Sequence, residues 1–225
     1  MDSIYDQLLQ LPLLQGVGRE RIAEVVEKIR LSFVKYEQGA IISFMDDECS
    51  DLRFVLSGRV RLDTNFLNNR VTLSQVVSAP DVIGAEYFFG LNTTYPYTIT
   101  AASDCSFMEV SKKEYMRILA ADRIFLLNML NYTSRLAQKG QSALMAMRHN
   151  SVEERLAFIV HMFTSKRAEQ IRVIFKQREL GWMLGAKRTQ LVATLHAMAE
   201  QGIIALTDST IDIVDRDALM AVLHR

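Results

Sequence analysis

The sequence predicts an α+β protein: an N-terminal antiparallel β-roll (a double-stranded β-helix or jelly roll), a long helix, and a C-terminal winged helix-turn-helix. Three observations predict this order. Short strand-like segments separated by turn residues fill the stretch from about 31 to 110. A helical period then continues to about 147 without a proline. The last part places two short apolar helices around a glycine turn and ends in a hairpin pattern.

The composition predicts a soluble, cytoplasmic globular protein. Of its 225 residues, 49% are hydrophobic and 23% are charged, and 26 basic residues balance 26 acidic ones. No apolar run approaches the ~18–20 residues of a membrane span, so no membrane partner is expected. The acidic start, Met1–Asp6, lacks the pattern of a signal peptide. Two cysteines, Cys49 and Cys105, argue against a disulfide scaffold.

The N-terminal part predicts helix first and then a roll. Ile22, Val25, Val26 and Ile29 follow a helical stripe within the first thirty residues. Alternating or β-branched segments follow, with Gly58 and the Asn68-Asn69 pair at their joints. The main predicted strands are Arg53–Leu56, Arg59–Asp63, Val71–Val77, Thr98–Ala102 and Ser106–Val110. Many short strands with regular turns indicate an antiparallel sandwich or barrel.

The long helix predicts a homodimer. Ser111 and Glu114 fit a capping box at its start. One stripe spaced by threes and fours forms a heptad seam. Its members are Leu126, Met129, Thr133, Leu136, Gly140, Ala143 and Met147. The alternative is packing against the chain's own sheet, and Leu127, Leu130, Ala137 and Leu144 widen the apolar face enough for both.

A domain boundary is predicted where Arg148-His149-Asn150 interrupts the helix. Ser151 and Glu154 form a second capping box and begin a new helix. The predicted domains are therefore 1–110 for an effector-sensing roll with N-terminal helices, 111–148 for the dimerisation helix, and 149–225 for the winged helix-turn-helix.

The C-terminal part predicts a DNA-binding surface. Seven basic residues and two acidic ones lie between Lys166 and Arg188. Leu180 and Leu184 on a first helix, Gly181 and Gly185 near the turn, and Leu191 and Leu195 on a second helix fit a helix-turn-helix. Side chains at the start of the second helix can reach phosphates and base edges, with Lys176 as a further phosphate contact. The candidate DNA-binding residues are Lys176, Lys187, Arg188, Thr189 and Gln190. An unconnected helical hairpin is the alternative, and Trp182 is interpreted as core or backbone-facing packing.

The order of parts resembles the Crp/Fnr family of bacterial transcription regulators. The segments that carry the resemblance are Arg53–Leu62, Val82–Gly84 with Ala101 and Cys105, and Glu179–Gly181 with Leu184–Arg188. The resemblance implies a homodimer that binds a palindromic double-stranded DNA operator, contacts RNA polymerase, and is gated by an effector in the roll. The implied effector pocket comprises Gly84, Ala85, Glu86, Tyr95, Pro96 and Tyr97.

Several residues depart from the family's pattern. The family's cyclic-AMP binders use Gly-Glu-Leu and Arg-Ser, where this chain has Gly84–Glu86 and Tyr95-Pro96. A buried phosphate without a cation is costly, so cyclic AMP is not expected as the effector. Two cysteines are too few for a four-cysteine iron–sulfur cluster. All four histidines lie at or beyond residue 149, which argues against a histidine-held haem in the roll; a haem held through Cys49 or Cys105 is the alternative, and a buried thiol is the favoured interpretation of Cys105. In the second helix of the helix-turn-helix, the recognition helix, Arg188 matches the family's pattern, whereas Thr189 and Ala193 do not.

The function predicted from the sequence is therefore that of a homodimeric transcription regulator with an unidentified effector. The alternative is a regulatory module that acts through a protein partner and carries a vestigial helix-turn-helix. An enzyme is not expected, because the sequence has no Gly-rich phosphate loop, no zinc-ligand spacing and no Ser/His/Asp arrangement. No catalytic or metal-binding residue is predicted.

Overall fold

The computed structural model describes residues 8–147 and 149–224, and these form two compact units. The roll unit takes the described residues up to Arg61 together with Val77–Ala137. The winged-helix unit takes Leu62–Val76 together with the described residues from Gln138 onward. This division differs from the predicted boundaries at 110 and 148, because a segment of the roll's strands belongs to the C-terminal unit.

The roll unit contains an antiparallel sheet in the order β1-β8-β3-β6. These strands are β1 (Leu31–Tyr36), β3 (Asp51–Ser57), β6 (Asp81–Ile83) and β8 (Cys105–Ser111). In the other sheet β2 (Ile41–Ser43) pairs with β7 (Thr98–Ala101), which neighbours β4 (Arg59–Phe66). The strands predicted in this region are confirmed, since alternating apolar residues pack into the roll.

Gly58, between β3 and β4, shows why a glycine is needed at this joint. Its φ is +82°, a left-handed conformation that residues with a Cβ rarely adopt. A Cβ at this position would lie 2.2 Å from the Asp104 carbonyl oxygen. The predicted strand–glycine–strand segment therefore requires glycine for two reasons: the left-handed backbone conformation and the close approach of another backbone segment.

The helices of the roll unit differ from the expectation at one point. α1 spans Arg19–Lys28, and α2 spans Lys112–Ala121, with the Ser111 hydroxyl accepting a hydrogen bond from the Glu114 amide. The uninterrupted helix predicted over 111–148 is wrong, because Asp122 is extended, with φ −141° and ψ 120°. Its carboxylate accepts from the Ile124 amide at 2.8 Å, and a second helix, α3 (Arg123–Ala146), begins there.

The second segment of the winged-helix unit begins with the end of α3 and continues through the predicted elements. α4 (Val152–Phe163) starts with the predicted capping box, in which the Ser151 hydroxyl and the Glu154 carboxylate each accept the other residue's amide. The helix-turn-helix is α5 (Gln177–Met183) and α6 (Arg188–Glu200), and α7 (Arg216–Ala221) is capped by Asp215. Short 3₁₀ turns cover Pro12–Leu14, Ala85–Tyr87 and Val222–His224.

One sheet joins the wing to a hairpin from earlier in the chain. The wing strands β10 (Ile204–Leu206) and β11 (Thr210–Ile213) follow β9 (Ala168–Phe175) in the order β10-β11-β9. The other neighbour of β9 is β5 (Val71–Ser78), which is paired in turn with β4. None of the described helices is long and apolar enough to cross a membrane.

Candidate nucleic-acid interface

The helix-turn-helix is held by the apolar residues that the sequence singles out. Leu180, Leu184, Leu191 and Leu195 are all buried between α5, α6 and the rest of the unit. The Ala186 amide donates to the Gly181 carbonyl at 2.8 Å, and a Cβ on Gly181 would lie 3.1 Å from the Ala186 carbonyl oxygen. A small residue at 181 therefore permits the close approach of the turn that leads into α6.

The start of α6 presents the predicted DNA-binding side chains to solvent. Lys187 is the N-cap residue, and no acidic residue lies in the first turn. Unpaired backbone amides and the helix dipole make this end favourable for anions. The four neighbouring residues Lys187, Arg188, Thr189 and Gln190 are exposed, as is Lys176 at the N-cap of α5. The structure thus combines positive charge, amide side chains and an anion-attracting helix end.

Of the two interpretations of Trp182, core or backbone-facing packing, the core position is wrong. Trp182 is 59% exposed, and the Arg178 guanidinium carbon lies 4.4 Å from its ring centroid. Residues 178 and 182 are four apart on α5, so they share the face opposite Leu180 and Leu184. The indole and the guanidinium therefore form an exposed cation–π pair beside the turn of the helix-turn-helix.

Glu179 and Arg70 form an ion pair that sequence reasoning missed. Arg70 Nη1 donates to Glu179 Oε1 at 3.3 Å, and the Glu179 side chain is largely buried. The partners are 109 positions apart, so no local pattern could have joined them. A carboxylate inside a basic stretch was the only available signal.

The predicted effector pocket is filled by aromatic side chains of the roll unit. Gly84 is left-handed at φ +69°, and a Cβ there would lie 2.5 Å from Tyr95 Cε1 and 3.4 Å from the Tyr97 hydroxyl. Ala85, Tyr95 and Tyr97 are buried, and Glu86 and Pro96 are half-buried. The Tyr132 hydroxyl donates to Glu86 Oε2 at 3.3 Å, which ties α3 to this turn.

The charges around Tyr95 are already matched within the protein. Arg53 Nη1 donates to the Tyr95 hydroxyl at 3.2 Å and to Ser43 Oγ at 2.6 Å. Arg53 Nε pairs with Glu109 Oε1 at 2.9 Å. Burial raises the pKa of Tyr95, so its hydroxyl stays neutral. Since the Arg53 charge is balanced and the rings lie against the Gly84 turn, these residues do not fit a cyclic phosphate at this turn.

The two cysteines of the roll unit are buried free thiols. Cys49 Sγ lies 3.6 Å from the Gly84 carbonyl oxygen, and burial raises the pKa of both Cys49 and Cys105. A raised pKa disfavours the thiolate that binds metals and reacts with oxidants. Across the described residues, no group of three or more His, Cys, Asp or Glu side chains could hold a metal ion.

The seven residues of the predicted seam take different environments along α3. Met129 and Ala143 are buried by their own chain, and Thr133 Oγ1 bonds back to the Met129 carbonyl at 3.0 Å. Gly140 faces Met162, whose Cε would lie 3.0 Å from an added Cβ. Leu136 and Met147 are half-buried and Leu126 is exposed. Met129 and Ala143 therefore face the protein's own interior.

The roll and the winged helix-turn-helix define a class of proteins: regulators in which a β-roll precedes a helix-turn-helix domain. Residues 33–122 match the family model for a cyclic nucleotide-binding domain, and residues 154–222 match that for a Crp-like helix-turn-helix domain. The chain belongs to the Crp/Fnr family, whose members are transcription regulators and not enzymes.

Solved structures agree with this fold. The catabolite activator protein of Thermus thermophilus is 18% identical, with 95% of this chain and 98% of that chain covered and a TM-score of 0.51. The N-terminal domain of a transcriptional regulator from Streptomyces coelicolor is 22% identical, with 62% of this chain and 95% of that chain covered and a TM-score of 0.50. Comparison with curated protein sequences gives no match.

Proposed function

We propose that this regulator binds double-stranded DNA as a homodimer and reads an imperfect palindrome with helix α6. The supporting observation is the start of α6, where Lys187, Arg188, Thr189 and Gln190 are all exposed at a helix end that attracts phosphate. Arg188 can form a bidentate contact with guanine O6 and N7, whereas Lys187 and Lys176 are suited to phosphates. Two such helices face successive major grooves ~34–36 Å apart.

The proposed dimer uses an exposed apolar stripe on α3. Leu127, Leu130 and Leu144 are exposed, and Ala137 lies on the same face at heptad spacing. This stripe lies one position beyond the register first predicted, because Met129 and Ala143 are used by the chain's own core. Leu126 borders the stripe and is the one member of the earlier seam that is exposed.

Gating by the roll is part of the same proposal. β4 and β5 run from the roll unit into the winged-helix unit, so a change in the roll has a covalent path to the DNA-binding residues. The effector is not a cyclic nucleotide held in the family's usual manner, since the Tyr95 and Tyr97 rings and the balanced Arg53 charge oppose it. We further propose action in the cytoplasm, where the DNA is, with RNA polymerase as the partner of the DNA-bound dimer.

Binding-site selection from random duplexes tests the DNA part of this proposal. The full-length protein is expected to enrich palindromes whose half-site centres are about one helical turn apart. Its affinity for them should fall with salt, because phosphate contacts release counterions. No enrichment and no salt dependence would favour the alternative of a protein partner. A thermal-shift screen of metabolites on the full-length protein tests gating, since a ligand at 100 times its Kd adds ~2.7 kcal/mol.

A further inference from the structure

The part of the β4–β5 hairpin nearest its tip, Leu62–Val76, belongs structurally to the winged-helix unit. Val71 and Leu73 on β5 are buried in the same core as Val173 on β9 and Leu180 on α5. β5 is also the direct neighbour of β9 in the sheet. The DNA-binding unit therefore takes a strand and two core side chains from residues about a hundred positions earlier in the chain.

Gln75 fixes the hairpin to the connection between α4 and β9. Its Nε2 donates to the Phe163 carbonyl at 2.9 Å, and its Oε1 accepts from the Ser165 amide at 2.7 Å. The side chain is buried, so both of its polar atoms depend on this connection. Phe66 on β4 packs edge-to-face on Phe163 with ring centroids 5.1 Å apart.

Arg70 fixes the hairpin tip to the first helix of the helix-turn-helix. Glu179 lies in the first turn of α5, and among the described residues Arg70 is its only salt-bridge partner. The Glu179 side chain is 10% exposed and the Arg70 side chain 56%. The Arg70 amide donates to the Phe66 carbonyl at 3.1 Å, so the turn that carries the guanidinium is itself closed. Without Arg70, a nearly buried carboxylate on α5 would have no cation.

We propose that Arg70 and Gln75 are positioning residues for DNA reading: the hairpin holds α5 and the α4–β9 connection, and thereby the recognition helix packed on them, in the binding arrangement. This inference rests on the proposed DNA-binding function. It names the route by which the roll regulates that site. Movement of β4 and β5 shifts α5 through the Arg70–Glu179 pair and shifts β9 through Gln75 and the shared sheet.

Variants of the ion pair test the inference in the full-length protein. Arg70→Ala is expected to weaken affinity for the selected duplex about tenfold. Adding Glu179→Gln to Arg70→Ala removes the stranded charge and should restore most of that loss. Arg117→Ala is a matched control, because Arg117 and Glu114 form an ion pair of similar exposure, 63% and 13%, within α2 of the roll unit. The control should leave the affinity unchanged.

The salt dependence of binding separates positioning from direct contact. If Arg70 acts through α5, the Arg70→Ala variant keeps the wild-type slope of log affinity against log salt. A slope lower by about one unit would make Arg70 a phosphate ligand and overturn the inference.

Hydrogen exchange without DNA gives a readout that is independent of the proposed function. Amides of α5 and β9, including that of Leu180, should exchange faster in Arg70→Ala and in Gln75→Leu than in the wild type and the Arg117→Ala control. If the wild type binds no DNA while these amides respond, the hold on α5 stands and the proposed function fails. If neither exchange nor affinity responds, the inference is overturned.

Discussion

Charged substitutions on the exposed stripe of α3 should separate the dimer. Leu127 and Leu130 are 55% and 51% exposed in the single chain. Full burial of a leucine side chain contributes about 1.5–3 kcal/mol, so covering the exposed half contributes about 1 kcal/mol. A two-fold axis brings both leucines of each protomer together, which gives about 4 kcal/mol per dimer. Replacing both with Asp is therefore expected to raise the dimer Kd about a thousandfold or more.

Sedimentation equilibrium over a range of concentrations measures this change. Met116→Asp is the matched control, since Met116 is 56% exposed on α2, outside the stripe, and the dimer should persist. Met129→Asp distinguishes the two registers, because Met129 is 4% exposed and its replacement should lower the free energy of unfolding. A Leu127→Asp/Leu130→Asp protein that stays folded and dimerises as tightly as the wild type would refute the assignment of the stripe.

Three further outcomes are expected. Arg188→Ala should cost ~1–3 kcal/mol of DNA-binding free energy per half-site and relax the preference at one base position in binding-site selection. Lys187→Ala should weaken binding to all sequences alike and lower the salt slope. A uniform loss of affinity from Arg188→Ala would make Arg188 a phosphate contact. Gly84→Ala should lower the free energy of unfolding about 1–3 kcal/mol more than Gly16→Ala, as measured by urea denaturation. Both glycines have a left-handed backbone, but only a Cβ at Gly84 would clash with a tyrosine ring. Equal losses in the two variants would contradict the packing around Gly84. Burial raises the pKa of Tyr87 to about 12. The stability that the neutral hydroxyl contributes is therefore complete below pH 10 and is lost as the pH rises to about 12. Tyr87→Phe should reduce that loss in alkaline denaturation, and an unchanged denaturation curve would refute this assignment.

Local patterns predicted the secondary structure well because their causes are local. Ser151 and Glu154 are three residues apart, and the capping box forms as their spacing requires. Leu180 and Leu184 are one helical turn apart and are both buried. The predicted DNA-binding residues are exposed at the start of α6 for the same reason, since the helix boundary and the buried face fix which side chains remain outside.

Features that depend on distant partners could not be predicted from the sequence. The break at Asp122 involves Arg21, whose Nε lies 2.6 Å from the carboxylate and which comes from a helix about a hundred residues earlier. The register of the α3 stripe depends on which side the chain's own core covers, and a heptad pattern does not determine that. Core packing of Trp182 was one of two interpretations, and it fails because only Glu179, Leu180 and Gly181 of the short helix α5 are buried.

The shared hairpin also bears on how members of this family can be recombined. If two family members exchanged their C-terminal domains at residue 148, the new domain would be joined to a β4–β5 hairpin whose Val71, Leu73 and Gln75 fit the domain that was removed. The incoming β9 would meet an unfamiliar neighbour, and the outgoing domain would expose the apolar surface that those side chains cover. A working chimera has to carry Leu62–Val76 along with the C-terminal domain. The structural unit that contains the DNA-binding residues is therefore discontinuous in the sequence.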